Sequence, residues 1–219
     1  MIVELMTSKE HFTEMERTAA EATLTCHANV EKMSAEGYKP SDTLKNIIKW
    51  GHESVLEHIN LSFQVKDLSR ACLQELARHR FISLSVKSTR HTLKKTLQQD
   101  YIKILGSKFI LHHETTQKTF RPEEAITTIL IDLVREYPDI KNDELKYFLP
   151  EFWPTNLVMT VNIRELRHII KVRTHPAALE EFRELARKLY EVVPTKFKYL
   201  LEDCLYKKAE NRRANDEQK

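Results

Sequence analysis

Gly37, Gly51 and Gly106 are the only glycines in 219 residues, and no two lie close enough to share a turn. Ordinary usage of about 7% would place roughly fifteen. No G-x-G-x-x-G or Walker-type loop can therefore be written in the chain. Folds that wrap a nucleotide phosphate in the backbone N–H groups of such a loop are excluded. If the protein binds a nucleotide, side chains must hold the phosphates.

The length suits one large domain or two small ones with a self-sufficient core. Thirty-five Lys+Arg against 32 Asp+Glu leave a net charge of +3, too small for a bulk electrostatic case for nucleic acid or a membrane surface. Cys26, Cys72 and Cys204 are odd in number and contain no C-x-x-C. They read as reduced thiols of a cytosolic protein, not a disulfide frame or zinc site. The N-terminus turns charged within ten residues, unlike a signal peptide, and no apolar run approaches the roughly 18 residues of a membrane span. A cytoplasmic globular protein is expected.

Periodicity sets out the elements. Met1–Met6 reads as a short strand. Ser8 caps a helix to about His27, carried by Phe12, Met15, Ala19 and Ala22. Pro40 opens a helix through Trp50 that Gly51 stops. In Glu57–Lys66, Ile59, Leu61, Phe63 and Val65 alternate with polar residues, the strongest strand signal in the chain. Asp67 or Ser69 caps a helix to about His79, and Phe81–Val86 alternates again. Residues 87–119 read as polar loops around an apolar piece at Phe109–Leu111. Further helices are expected at Pro122–Arg135, Asn142–Phe148, Ile163–Val172, Pro176–Val192 and Thr195–Leu205, with a buried strand at Leu157–Val161. The expected fold is a single helix-rich α+β domain over residues 1–205, a mostly antiparallel sheet flanked by long helices. Residues 206–219 form a charged tail.

Three segments concentrate chemistry. In Ala77–Thr92, Arg78, His79, Arg80, Lys87, Arg90 and His91 are interleaved with Ser83, Ser85, Ser88 and Thr89. Cations at a helix C-terminus are ordinary. Three in succession repel unless an anion balances them, and a guanidinium fork suits phosphate. The second segment, Asn162–Arg173, puts Arg164 and His168 on one helix face and Arg173 about half a turn round, so the two arginines face different partners or the helix ends first. A solvated basic face is the competing reading. In the third, Gly51–His58, the two histidines stand six apart, which does not fit H-E-x-x-H, and no metal site is expected. Cys72 reads as core rather than nucleophile.

Together these segments resemble the flavin-dependent thymidylate synthases. The family signature, R-H-R, seven residues, Ser, stands here as Arg78-His79-Arg80, FISLSVK, Ser88, followed by Arg90. GHESVLEHINLSFQV upstream and VNIRELRHIIKVR downstream are similar to the family's flanking segments, and the resemblance covers most of residues 44–205. It implies reductive methylation of dUMP to dTMP, with 5,10-methylenetetrahydrofolate as carbon donor and NADPH reducing FAD. It also implies a homotetramer with active sites between subunits. No nucleic-acid or membrane partner is expected.

Residue by residue, the resemblance implies FAD contacts from Ser54, Glu57, Arg78, His79, Arg80, Asn162, Arg164 and His168. The dUMP site would draw on Glu75, Arg78, Val86, Lys87, Ser88, Thr89, Arg90 and Lys146. Arg173 would face the uracil and stabilise developing negative charge, and His52 would flank the folate. The chain departs from the family pattern in places. Ser85-Val86 replaces Asn-Glu, Glu75 stands where Gln is usual, and His91 replaces Tyr. Ala177-Ala178-Leu179-Glu180-Glu181 replaces His-Ala-Gln-Trp-Glu. Two alternatives stay open: FAD-dependent one-carbon transfer to another pyrimidine nucleotide, and a basic nucleic-acid-binding module using Arg78–Arg90 and the Lys207–Arg213 tail.

Overall fold

The computed structural model describes residues 1–99, 111–113, 118–120 and 122–206. Its first half contains β1 (Ile2–Leu5), α1 (Lys9–Cys26), α2 (Pro40–Trp50), β2 (Asn60–Ser69), α3 (Arg70–Leu76), β3 (Ile82–Val86) and α4 (Thr89–Gln99). Then come β4 (Leu111–His113), β5 (Lys118–Phe120), α5 (Pro122–Glu136), α6 (Asn142–Leu145), β6 (Pro154–Asn162), α7 (Ile163–Arg173) and α8 (Glu180–Glu191). The main sheet is antiparallel, in the order β1-β2-β6-β3, and β4 pairs antiparallel with β5. Among the described residues, no helix is long and apolar enough to cross a membrane.

Alternation of side chains makes the two central strands. Leu61, Phe63 and Val65 of β2 and Thr155, Leu157, Met159 and Val161 of β6 are buried, and their neighbours are not. Asp67 breaks the rhythm of β2 with φ +57°, a conformation that Asp adopts more readily than most residues. Its N–H donates to Asn156 Oδ1 at 3.0 Å.

The chain forms two compact units, neither of them contiguous. One comprises Met1–Ile2, Val65–Glu75 and Leu84–Val158; the other comprises Val3–Gln64, Leu76–Ser83 and the chain from Met159. In the first, Leu93 and Leu97 of α4 pack with Leu130 and Val134 of α5, Leu145 of α6 and Trp153. In the second, α1 lies on α2 and on a 3₁₀ turn at Glu53–His58, and α7 packs on that turn and on α8. Its core includes Phe12 stacked on Phe197 at 3.8 Å, with Leu44, Leu56 and Ile59 fully buried.

Several boundaries follow the sequence reading closely. Ser8 accepts the His11 N–H at 3.2 Å and starts α1, and Gly51, at φ +76°, closes α2 in the left-handed region that glycine tolerates. Other expectations are corrected. Glu57 and His58 lie in the 3₁₀ turn, so β2 begins at Asn60 and continues to Ser69. Ser69 caps α3, its Oγ accepting the Cys72 N–H at 3.0 Å, and α3 ends at Leu76 rather than near His79. The expected polar loop after Val86 is helix α4, legible only through Leu93 and Leu97.

Asn142–Phe148 is helical as α6 and then tightens to 3₁₀ at Lys146–Phe148. α8 starts at Glu180, not Pro176, and Thr195–Leu205 is two 3₁₀ turns, Thr195–Leu200 and Glu202–Cys204. Leu111 lies in β4, whereas Phe109, Ile110 and the tail beyond Tyr206 are outside the described residues. Cys72 is fully buried, as a core residue should be, and all three cysteines are free thiols.

Candidate active site

The start of α7 organises the larger cavity. Asn162 Oδ1 accepts the Glu165 N–H at 2.8 Å and caps the helix. Ile163, Leu166, Ile169 and Ile170 turn into the core, which leaves Arg164, His168 and Lys171 on an outward face. That face lines a cleft of about 620 Å³, together with Ile48, Glu53, Glu57, Phe81 and Asp203. All of these residues belong to the second unit. Glu57 and Arg164, both expected at the flavin, are brought together at 2.6 Å with their side chains about half exposed. His52 and Ser54 are exposed at the start of the Glu53–His58 turn.

Arg167 is the buried cation of the cleft, at 5% exposure. Its Nη1 donates to the Leu200 carbonyl and to Asp203 Oδ1 at 2.7 Å; Nη2 donates to Asp203 Oδ2 at 2.6 Å and to Glu53 at 3.0 Å. Burial works against this charge, but the hydrogen bonds it donates to Asp203 and Glu53 overcome that penalty and raise the arginine's pKa. Burial would lift Asp203, yet the Arg167 fork holds it below the usual carboxylate range. Burial first, then Asp203 beside it, push the Cys204 thiol up to about 12. Arg167 Nε is buried without a hydrogen-bond partner. Lys171 makes no ion pair among the described residues.

The R-H-R triplet lies between α3 and β3, and its members diverge. Arg78 and Arg80 are exposed and make no ion pair among the described residues, whereas His79 is 7% exposed. His79 Nδ1 meets Glu165 Oε1 at 2.9 Å, and Arg173 donates its Nε–H to His79 Nε2 at 3.1 Å. Arginine can only donate, so Nε2 accepts and the ring proton sits on Nδ1, shared with Glu165. Burial lowers the His79 pKa; Glu165 opposes this and Arg173 adds to it. The Arg173 guanidinium lies over the Phe182 ring at 4.6 Å.

His79, Glu165 and His168 also offer one ligand atom each within 4.8 Å of one another, a grouping that the sequence spacing hid. Both His79 nitrogens are engaged, so Glu165, His79 and Arg173 form a hydrogen-bonded chain. Within the chain, Arg164 pairs with Glu57 and Arg173 with His79.

A second cluster belongs to the first unit. Ser88 directly precedes α4, so Thr89 and Arg90 occupy a helix N-terminus, where first-turn N–H groups and the helix dipole favour an anion. Asn142 fixes this turn, donating to the Arg90 carbonyl at 2.8 Å and accepting the Lys94 N–H at 3.0 Å. Arg90 pairs with Asp143, and that hydrogen bond holds the Asp143 carboxyl below its ordinary range, with help from Lys146 and His91. Lys146 is exposed, its Nζ 5.9 Å from the Tyr147 ring centre. Val86 ends β3 39% exposed, and the Lys87 N–H donates to the Asn156 carbonyl at 2.8 Å. Glu75 lies half-buried in α3.

A family model described as "Thymidylate synthase complementing protein" matches residues 9–197. The chain is 38% identical over 197 residues to the flavin-dependent thymidylate synthase of Campylobacter jejuni (strain RM1221), covering 86% of this chain and 92% of that one. The chain belongs to the flavin-dependent thymidylate synthase family. It is also 33% identical to the flavin-dependent thymidylate synthase of Helicobacter pylori (strain J99), over 90% of this chain and 97% of that protein. A crystal structure of thymidylate synthase X from Helicobacter pylori with FAD and dUMP superposes with a TM-score of 0.78 at 31% identity, covering 94% of this chain and all of that one. A UMP/dUMP methylase from Streptomyces cacaoi, at 18% identity and a TM-score of 0.63, shares the fold.

The family's sequence motifs did not single out Glu165, Arg167, Lys171, Phe182 or Asp203. Only Glu165 carried a local signal, standing three residues after the capping Asn162 where a capping-box carboxylate is common.

Proposed function

We propose that this chain converts dUMP to dTMP with bound FAD, taking the carbon from 5,10-methylenetetrahydrofolate and reducing equivalents from NADPH. The observation that carries the reading is the cleft along α7, where Asn162, Arg164, His168 and Lys171 present amide, guanidinium, imidazole and ammonium donors from one helix start. Its volume lies in the range of small-molecule sites, and its mixture of donors suits a cofactor that carries both a pyrophosphate and a polar ring edge. The residues therefore fit FAD. Asn162, Arg164, His168, Glu57 and Ser54 would hold it, with Arg78 and Arg80 contributing, while His79, both of whose ring nitrogens are engaged, would act through Arg173. When bound, FAD supplies the redox chemistry, accepting reducing equivalents from NADPH and releasing the hydride that completes the methyl group.

The chain's own residues do the rest. Ser88, Thr89, Arg90 and Lys146 bind the dUMP phosphate dianion, combining the N–H groups at the start of α4 with two cations. Val86, Lys87, Arg78 and Glu75 border the nucleotide, and His52 flanks the folate. Arg173 presents a permanent positive charge to the uracil and stabilises the negative charge that develops as the ring is activated. We assign residues 1–205 to one synthase domain of a cytoplasmic homotetramer whose sites are shared between subunits.

Purified protein should take up FAD and turn dUMP into dTMP only when the folate and NADPH are both supplied. Protein that binds no added FAD would sink the proposal. Arg173→Ala should retain flavin and lose most turnover, and undiminished turnover would remove Arg173 from the mechanism.

A further inference from the structure

We propose that Glu165 is a positioning residue for Arg173, acting through His79. The inference rests on the reading above that Arg173 works at the pyrimidine. Glu165 and Arg173 are eight residues apart on α7, about 12 Å of helical rise, and cannot touch. His79, from the turn after α3, spans the gap between them, with Nδ1 at 2.9 Å from Glu165 and Nε2 at 3.1 Å from Arg173 Nε.

The two ends of this chain agree on its direction, and Glu165 supplies the acceptor that the Nδ1 proton needs. A carboxylate with its side chain 12% exposed accepts and does not donate, so it draws the ring proton to Nδ1. Only then does Nε2 keep the lone pair that the Arg173 N–H requires. The other neutral tautomer, or the imidazolium, would set donor against donor at Nε2. Arg173, which can only donate, favours the same tautomer from the Nε2 side, but among the described residues Glu165 is the acceptor for the Nδ1 proton. His168 approaches edge-on at 5.7 Å and Phe182 edge-on at 5.9 Å. With its Nε held by His79 and its face on Phe182, the guanidinium is fixed in both direction and plane. Glu165 itself is placed by the Asn162 cap, which takes its backbone N–H and leaves the carboxylate for His79. Nothing in the resemblance or in the relatives' names assigns Glu165 a role.

The test compares Glu165→Ala and Glu165→Gln with the wild type. Each FAD-loaded protein is assayed for kcat and for the KM of dUMP, and the His79 tautomer is read by ¹⁵N shifts in histidine-labelled protein. Displacing a reacting group by the order of an ångström costs about 10²-fold, so Glu165→Ala should lose about that factor in kcat per bound flavin, with a much smaller change in KM. Glu165→Gln keeps an oxygen to accept the Nδ1 proton and should stay within about tenfold of the wild type, because its hydrogen bond is neutral and weaker.

The wild type should show the Nδ1–H tautomer, and Glu165→Ala should lose it. A wild-type Nε2–H tautomer overturns the proposal even if Glu165→Ala fails to fold. So does Glu165→Ala with wild-type kcat per flavin, or the absence of rescue by glutamine. A wild type inactive on dUMP would instead overturn the proposed function, and the tautomer would still decide whether Glu165 holds Arg173.

Discussion

Arg90 and Asp143 meet fork to carboxylate, with Nε at 2.7 Å and Nη2 at 2.9 Å from the two oxygens. Both side chains are more than half exposed. The guanidinium proposed to bind the dUMP phosphate thus already carries a carboxylate in the edge that a phosphate would take. Exposed, solvent-screened pairs of this kind contribute little to stability, so a dianion can displace Asp143 at little cost. Asp143→Asn should tighten dUMP binding modestly, with FAD affinity unchanged. Calorimetric titration checks both; weaker dUMP binding would mean instead that Asp143 aims Arg90 at the phosphate.

Stability should depend on pH through His79. Burial and the Arg173 charge depress its folded pKa, whereas in the unfolded chain it titrates near about 6.5. The unfolded state therefore binds more protons in the interval between those values. The contribution is complete above about pH 6.5 and is lost as pH falls through the lowered folded pKa. Urea unfolding midpoints should drop as pH falls below about 6.5. His79→Gln should flatten this slope, and an equally steep slope in the variant would assign the effect to another group.

What could be read in the chain divides by distance along it. Leu61, Phe63 and Val65 announced β2, and Pro40 and Gly51 bounded α2, because those signals depend on neighbours a few residues away. α4 escaped because, among its described side chains, only Leu93 and Leu97 reach the core. The triplet Arg78-His79-Arg80 read as three flavin contacts, with Arg78 also at the nucleotide. The fold turns the two arginines outward and buries the histidine against Glu165, a partner 86 positions away that no local pattern could name. Arg167 looked like part of a basic face for the same reason, since Glu53 and Asp203 lie 114 and 36 residues from it.

That Arg167 network makes a prediction about stability alone. Asp203→Ala removes two hydrogen bonds to a buried guanidinium and leaves Glu53 as its only carboxylate among the described residues. Hydrogen bonds to charged groups contribute about 1.5–3 kcal/mol. Asp203 is itself half exposed, so screening places the expected loss near the low end, about 1.5 kcal/mol. Chemical denaturation measures it. A loss no larger than that of an exposed ion pair would show that Glu53 and the Leu200 carbonyl suffice for Arg167.

Asn162 was expected at the flavin, and its Oδ1 is spent on the Glu165 N–H, so its two possible duties can be separated by chemistry. Asp is as good a cap as Asn, whereas Ala typically costs about 1 kcal/mol at this position. An ionised Asp, however, has no N–H to donate and adds a negative charge beside Glu57 and Glu165 in the cleft. Asn162→Ala should therefore lower both stability and FAD affinity. Asn162→Asp should keep the stability and still weaken FAD by about tenfold, in line with the roughly 1.5 kcal/mol of a lost hydrogen bond. Flavin fluorescence titrations beside denaturant melts of the two variants separate the effects. If Asn162→Asp binds FAD like the wild type, the side chain serves the helix only, and the flavin contacts shift to Arg164 and His168.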